Sequence, residues 1–171
     1  MPFQTSVSIT QAPALPGDFA SVNPRVSTPG APGAWVAGAG GVAVGSFAWG
    51  DLGATDSVAI NSGSGVPTGF VAREFGDALI TVYLAETGNT IPQGFAVPLF
   101  NGGDYWVRNT GTLAAAINSK AFASLTTGVV QFAAAGATVA GFIETKFICV
   151  GLGGGTGAIN EVVKISSTTL D

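Results

Sequence analysis

Closely spaced turn-forming clusters divide the sequence into short apolar runs, and this spacing limits the fold more than any other feature. Between residues 94 and 132 the runs have strand length and are rich in aromatic and aliphatic side chains. They are Phe95–Phe100, Tyr105–Arg108, Lys120–Leu125 and Val129–Phe132. The Asn, Asp, Gly, Ser and Thr residues between them favour chain reversal. Short strands repeated about every 8–12 residues are typical of all-β folds, so we predict an all-β protein, either a β-sandwich or a small barrel.

Segments on both sides extend this all-β interpretation. Ala78–Leu84 is the strongest strand prediction, because Ile, Val, Thr and Tyr suit a pleated, half-buried surface. Phe142–Leu152 alternates, and one of its faces is polar through Glu144 and Lys146. The opposite face carries Ile143, Thr145, Phe147 and Cys149. In Ala34–Trp49 we expect five side chains to point inward: Trp35, Val42, Val44, Phe47 and Trp49.

Two local predictions concern chain reversals. Ile91-Pro92-Gln93-Gly94 has Pro at the second position and Gly at the fourth, which favours a type I turn. Thr112–Leu125 is alanine-rich, and a helix from Leu113 to Leu125 is one interpretation. Two short strands broken at Asn118-Ser119 fit the flanking turns better. Periodicity alone does not decide between them.

The first 33 residues differ in composition from the rest. They hold six prolines, Pro2, Pro13, Pro16, Pro24, Pro29 and Pro32. Because proline lacks a backbone donor, we predict an extended arm over residues 1–33, with Phe3–Ile9 as an edge strand, and a single β-rich body over residues 34–171. A disordered leader is the alternative, although apolar residues such as Phe3 and Ile9 are unusual in disordered segments.

The low charge content and the uncharged segments of the chain disfavour binding to nucleic acids and insertion into a membrane. Only 9% of the 171 residues are charged, against about 25% in an average soluble domain. The net charge is −4 and the six basic residues are scattered, which disfavours nucleic-acid binding. Val26–Gly50 is the longest uncharged span, but it is interrupted by proline and glycine, so we expect no membrane helix. Met1–Thr10 lacks the pattern of a signal peptide. A charge-poor exterior is instead compatible with coverage by partner proteins.

The residue types needed for catalysis are scarce. The sequence contains no histidine, which removes Ser-His-Asp and Cys-His relays and imidazole metal sites. Cys149 is the single cysteine, and its apolar surroundings predict a buried, inert thiol. Glu74 and Asp77 are close in sequence, but surface solvation explains them better than a paired-carboxylate site. We therefore predict no enzymatic activity, no cofactor and no metal site.

Three motifs resemble binding sites without meeting their requirements. Gly151–Gly157 resembles a phosphate-binding glycine loop, but too few residues follow it to supply the required helix, so we predict a hairpin loop. Asp51–Asp56 lacks the ligand ladder of a calcium loop and is interpreted as a surface turn. The three tryptophans could stack on sugars, although burial in a β core is favoured. They are Trp35, Trp49 and Trp106.

Much of the chain resembles one known family. The opening residues Met1–Phe19, continued by Asn23-Pro24-Arg25, and the segment Gly38–Trp49 are similar to structural cement (capsid decoration) proteins of tailed bacteriophages. Gly102–Val107 and Lys120–Gly128 extend the resemblance, although Ser119 stands where the family pattern has glycine before the lysine. The resemblance implies a β-sandwich or jelly-roll-like body with extended arms. It carries no catalytic residues.

The resemblance also implies a function and a partner. We expect a capsid decoration protein, made in the host bacterial cytoplasm, that binds the major capsid protein on the outside of the virion as a homo-oligomer. The arm would add a strand to a neighbour's exposed edge. The predicted capsid or oligomer contacts are Phe3, Gln4, Val7, Ile9, Leu15 and Phe19. A tail-fibre-like or carbohydrate-binding β module is the alternative, and an exposed row of aromatic side chains would distinguish it.

Overall fold

The structure is a computed structural model that describes residues 13–30, 33–50, 57–74 and 88–168. Every regular element in these ranges is a β-strand. In chain order the strands are β1 (Val26–Ser27), β2 (Trp35–Ala37), β3 (Val42–Ala43), β4 (Phe47–Gly50), β5 (Val58–Ile60), β6 (Gly69–Val71), β7 (Thr90–Ile91), β8 (Ala96–Val97), β9 (Leu99–Gly102), β10 (Asp104–Arg108), β11 (Lys120–Ser124), β12 (Val130–Ala133), β13 (Phe142–Gly151) and β14 (Val162–Ser166). The all-β prediction is confirmed.

The strands form three sheets. A seven-stranded sheet has the order β1-β9-β6-β4-β5-β2-β8, and a five-stranded sheet has the order β10-β14-β13-β11-β12. Strands β3 and β7 form a separate pair. Neighbouring strands are antiparallel except for β2 and β5, which run parallel. None of these sheets closes into a barrel within the described residues, so the architecture is the sandwich rather than the barrel.

Aromatic rings fill the space between the two large sheets. Phe70 of the seven-stranded sheet lies 4.9 Å, centroid to centroid, from Tyr105 of the five-stranded sheet. Phe47 lies 5.5 Å from Phe147 in the same way. All four side chains are at most 2% exposed. Ring separations of about 4.5–7 Å are favourable for aromatic pairs, so this cluster holds the two sheets face to face.

The centre of the seven-stranded sheet is buried on both faces. Phe47 and Trp49 point into the aromatic cluster, whereas Ala48 between them points into a second apolar cluster. The strand pair β3–β7 contributes Val42 and Ile91 to that second cluster. Burial on both sides explains why this part of the sequence reads as continuous apolar runs rather than as strict alternation. The predicted inward orientation of Trp35, Val42, Val44, Phe47 and Trp49 is confirmed.

Strand β13 follows the predicted alternation. Thr145, Phe147 and Cys149 are buried, while Lys146 is exposed and Glu144 is half-buried. The predicted loop Gly151–Gly157 connects β13 to the antiparallel strand β14. A phosphate-binding loop requires a helix at this point, and the chain forms a strand instead.

Two local predictions are wrong. Residues 112–119 form neither a helix nor a first strand, and only Lys120–Ser124 is a strand. Their backbone N–H groups bond to other parts of the chain, because Ala115 N donates to Gly157 O and Asn118 N donates to Cys149 O. This tertiary hydrogen bonding outweighs the helix preference of alanine.

The turn near Pro92 is displaced by one residue. The hydrogen bond runs from Phe95 N to Pro92 O at 3.2 Å, so proline occupies the first position of the turn and not the second. Gly94 then takes the third position with a φ of 82°, which a type II turn requires. The predicted strands Ala78–Leu84 and Phe3–Ile9 and the predicted turn Asp51–Asp56 lie outside the described residues.

Candidate functional site

Residues 13–30, called the strap below, bind along the edges of both large sheets. The first half follows the open edge of β10. Gly17 N donates to Trp106 O at 2.8 Å, Trp106 N donates to Asp18 O at 2.9 Å, and Ala20 N donates to Asp104 O at 2.9 Å. Backbone pairing of this kind covers an edge that would otherwise be open to another strand.

The second half of the strap pairs with the other sheet. Val26 and Ser27 form β1, the edge strand beside β9. The next residue, Thr28, donates its N–H to Leu99 O at 2.8 Å and accepts a bond from the Trp35 indole at 2.9 Å. The strap therefore joins the edge of the five-stranded sheet to the edge of the seven-stranded sheet.

Arg73 fixes the turn at the start of the strap. Its backbone N–H donates to Gly17 O at 2.7 Å, and its Nη2 donates to Pro16 O at 3.2 Å. Its Nε also lies 3.3 Å from Asp18 Oδ1, a charge contact without hydrogen-bond alignment. These contacts hold residues 16–18 against the body.

Asp104 fixes the corner where the strap leaves β10. Its Oδ2 accepts bonds from Ser21 Oγ at 2.6 Å and Asn23 Nδ2 at 2.8 Å. Burial raises the pKa of this carboxyl, but the nearby hydroxyls of Ser166 and Ser21, the amide of Asn23 and the positive charge of Lys164 outweigh burial, so the pKa lies below its ordinary value. The ionised carboxylate thus stabilises the bent path of residues 21–23.

Two of the six predicted contact residues, Leu15 and Phe19, lie in the described ranges, and their side chains differ in exposure. Phe3, Gln4, Val7 and Ile9 lie outside the described residues. Leu15 is 56% exposed on the strap and is available to a partner. Phe19 packs inward, with its ring 5.7 Å from Phe100 and 5.8 Å from Tyr105, and the guanidinium carbon of Arg25 lies 3.7 Å above it. Phe19 therefore anchors the strap to the body.

Two loops beside the start of the strap form an exposed apolar surface, called the platform below (residues 111–118 and 157–160). Leu113, Ile117 and Ile159 are 67%, 50% and 49% exposed. Asn109, which is fully buried, joins the two loops, because its Nδ2 donates to Leu113 O at 2.8 Å and to Gly157 O at 2.9 Å. The loops are thus held by buried hydrogen bonds and not only by their connections.

The three tryptophans and the cysteine considered in the sequence analysis are buried or half-buried. Trp35 and Trp49 are 2% and 8% exposed, and their indole N–H groups bond to backbone carbonyls, so neither presents a ring to a sugar. Trp106 is half-buried. Cys149 is a buried free thiol, and burial raises its pKa. Within the described ranges, no three His, Cys, Asp or Glu side chains converge as a metal site would require, and no helix is long and apolar enough to cross a membrane.

Sequence reasoning missed the polar residues that organise this region. Asn109, Asp104 and Arg73 each bond to segments far away in the chain. The sequence contains only a weak signal for these hydrogen-bonding roles. Asp104 begins β10 and Asn109 follows it, and Asn or Asp beside a short apolar run predicts a turn rather than a buried hydrogen-bonding group.

The sandwich, strap and platform define an all-β sandwich protein with an exposed apolar surface. The family model of the XM1 gp53 minor capsid protein matches residues 3–167, and the chain belongs to this family of phage capsid structural proteins. A chain in the solved capsid of Myoviridae phage XM1 shares the fold, with a TM-score of 0.66, 16% sequence identity and 100% of both chains covered. No curated protein matches the sequence.

Proposed function

We propose that this protein is a capsid decoration, or cement, protein that binds the outside of the major capsid protein lattice and stabilises the phage head. The observation that carries the proposal is the extent of the family match. It covers residues 3–167 and so includes the proline-rich leader as well as the β body. The role is non-catalytic in this proposal, and the protein belongs to the virion.

The surface chemistry supports a role on a repeating lattice. With 9% charged residues, the chain has few charged groups to remove from water on binding. The exposed side chains of the platform offer apolar area for burial. A homo-oligomer that contacts several equivalent capsid sites gains avidity from effective concentration, without needing one tight contact.

The strap is the part of the arm that is bound to the body, and it gives the preceding residues a fixed starting point. Because residues 16–28 pair with both sheets, the chain before Pro13 begins at a defined place on the body. We propose that Phe3, Gln4, Val7 and Ile9 bind the shell by adding a strand to an exposed sheet edge, with Leu15 beside them. Phe19 contributes by holding the strap in place. The division into an arm (1–33) and a body (34–171) remains a prediction.

Binding to shells tests the proposal. Purified heads that lack this protein are mixed with it and sedimented, and we expect saturable co-sedimentation and a higher temperature of head disruption. Failure of the full-length protein to bind would overturn the proposed function.

The arm is tested separately with variants of equal length. Phe3→Ser with Val7→Ser and Ile9→Ser should weaken shell binding, because these side chains share one face of an extended strand. Ser6→Ala with Ser8→Ala alters the opposite face and is the matched control. Equal binding by the two variants would reject the arm contact while leaving the decoration role intact. Deletions should remove residues 1–12 and not 1–20, because Gly17–Ala20 is part of the folded sheet edge.

A further inference from the structure

The edge of β10 that faces the strap has a gap in its backbone pairing at Arg108. Alternate residues of a strand direct their N–H and C=O groups to the same edge, so those of Arg108 face the side on which Trp106 pairs with the strap. Beyond the gap, Thr110 donates its N–H and its hydroxyl to Val130 O, both at 2.8 Å. Among the described residues, none bonds to the backbone groups of Arg108 on this edge.

Proline ends the pairing of the strap before it reaches Arg108. Pro16 is the next strap residue along this edge, and it has no N–H to donate to the carbonyl oxygen of Arg108. The strap also turns here, since Asp18 N donates to Leu15 O at 3.1 Å. An unpaired N–H and C=O on a sheet edge are available to an extended segment of another chain.

Two grooves meet at this gap. The larger, of about 470 Å³, lies between residues 13–16 and the segments 152–155 and 160–162. The smaller, of about 190 Å³, lies between residues 44–46 and 129–130. Pro16 and Arg108 line both grooves, so the two spaces are continuous at these residues. The joined space is called the cleft below.

The guanidinium of Arg108 is an unpaired charge in the cleft. Arg108 is exposed, and its side chain forms no ion pair or hydrogen bond with the described residues. Glu161 also lines the cleft, but its Oε2 accepts bonds from the N–H groups of Thr156 and Ala158 at 2.9 and 3.0 Å. The carboxylate is thus bound within its own loop, and the guanidinium is the charge that a ligand would meet.

Strand geometry determines where an anionic group of the ligand would lie. Residues directly opposite each other on neighbouring strands direct their side chains to the same face, and opposite charges at such positions attract. A residue that pairs with the backbone of Arg108 therefore places its side chain beside the guanidinium, which favours Asp or Glu. The smaller groove is lined by Val44, Val129 and Val130, so apolar side chains suit the flanking positions.

We propose that the cleft binds an extended segment of a shell protein in which Asp or Glu lies opposite Arg108, between apolar residues. The backbone of the acidic residue pairs with the N–H and C=O of Arg108, as in the addition of a strand to a sheet edge. Its carboxylate accepts charge-assisted hydrogen bonds from the guanidinium. The inference rests on the proposed binding to the shell and adds the chemistry of one contact.

Charge reversal in the shell-binding assay tests the cleft. Arg108→Glu should weaken co-sedimentation with heads about 10-fold or more, because two carboxylates would then face each other. Lys146→Glu makes the same change in net charge at an exposed position of β13 outside the cleft, and it should bind like the natural protein. Arg108→Lys should bind with intermediate strength, because lysine keeps the charge but lacks the planar fork of arginine. Circular dichroism verifies that all variants are folded.

The outcomes separate this inference from the decoration role. Equal binding by Arg108→Glu and Lys146→Glu, with heads still decorated, would overturn the inference and leave the decoration role intact. Failure of the natural protein to bind heads would reject both.

A peptide probe tests the chemistry of the cleft without shells. The capped peptide Thr-Val-Glu-Val-Thr is titrated into ¹⁵N-labelled protein, and we expect the amide signals of Arg108 and Gly45 to shift. The same peptide with Gln in place of Glu is the matched control and should bind about 10-fold more weakly. Added salt should reduce this difference. No shift at Arg108, or equal affinities for the two peptides, would overturn the inference.

Sedimentation velocity distinguishes a shell segment from a second copy of the chain as the occupant. The natural protein and Arg108→Glu should have the same oligomeric state in the absence of shells. Dissociation of an oligomer in Arg108→Glu alone would identify a second copy as the occupant and would overturn the assignment to a shell protein.

Discussion

The backbone N–H of Gly17 lies 2.8 Å from the carbonyl oxygen of Trp106, and this hydrogen bond joins the proline-rich start of the chain to the edge of the five-stranded sheet. Gly17 also accepts a bond from Arg73 N at 2.7 Å, so its peptide groups are bound on both sides. The strap therefore stabilises the body, and it also determines where the preceding part of the arm begins.

Gly17→Ala should destabilise the fold strongly. Gly17 has a φ of 95°, and a Cβ at this position would lie 2.6 Å from Val44 Cγ1. The matched control is Gly136→Ala, where φ is 72° and no atom lies within 4 Å of the added Cβ. In Gly136→Ala, placing alanine in the left-handed region should lower the free energy of unfolding by about 1–2 kcal/mol. The clash at Gly17 adds about 1–3 kcal/mol. Equal urea midpoints for the two variants would show that the strap is not packed as described.

Asp104→Asn should loosen the corner of the strap. The substitution removes the charge that Ser21 and Asn23 bind, and we expect a loss of about 1–3 kcal/mol in the free energy of unfolding. Glu144→Gln is the control, since Glu144 lies 4.0 Å from Lys120 in a partly exposed pair that contributes at most about 1 kcal/mol.

The effect of Asp104 should depend on pH with a defined sign. Its pKa is lowered in the folded state, so the carboxylate stabilises the fold fully above the unfolded pKa, which is about 3.9. This contribution is lost as the pH falls through the folded pKa. The difference in unfolding free energy between the natural protein and Asp104→Asn should stay constant from about pH 6 to 8 and shrink below about pH 4. A difference that grows on acidification would contradict the assignment.

Asn109→Asp should disrupt the platform. The amide nitrogen donates to two carbonyl oxygens, and a carboxylate oxygen in its place would repel both while buried. We expect a loss of about 3 kcal/mol or more, measured by urea unfolding. Asn101→Asp makes the same chemical change at an exposed position of β9 and should stay within about 0.5 kcal/mol of the natural protein. Similar losses at both positions would contradict the role assigned to Asn109.

Alternation and turn-forming residues in the sequence correctly predicted the strands of the five-stranded sheet. The alternation of Phe142–Leu152 predicted which side chains of β13 are buried, and the turn clusters predicted β10, β11 and β12. These predictions succeeded because alternation and turn chemistry are properties of neighbouring residues.

The parts that depend on distant contacts were not predictable in this way. The alanines of residues 112–119 favour a helix locally, but bonds to Gly157 and Cys149 determine their path. The six prolines predicted an extended arm rather than part of a sheet in the first 33 residues. Gly17–Ala20 nevertheless pairs with β10, because this segment lies between Pro16 and Pro24 and its residues carry backbone N–H groups that donate hydrogen bonds. The buried bonds of Asn109 and Asp104 likewise join segments that only the fold brings together.

Reconstruction of purified heads by electron cryomicroscopy tests the central claim most directly. The decoration role predicts density that fits this β-sandwich on the outer surface of the shell, in contact with the major capsid protein and lost from heads that lack the protein. Density for the sandwich on the inner surface, or heads whose outer surface is unchanged when the protein is removed, would contradict it.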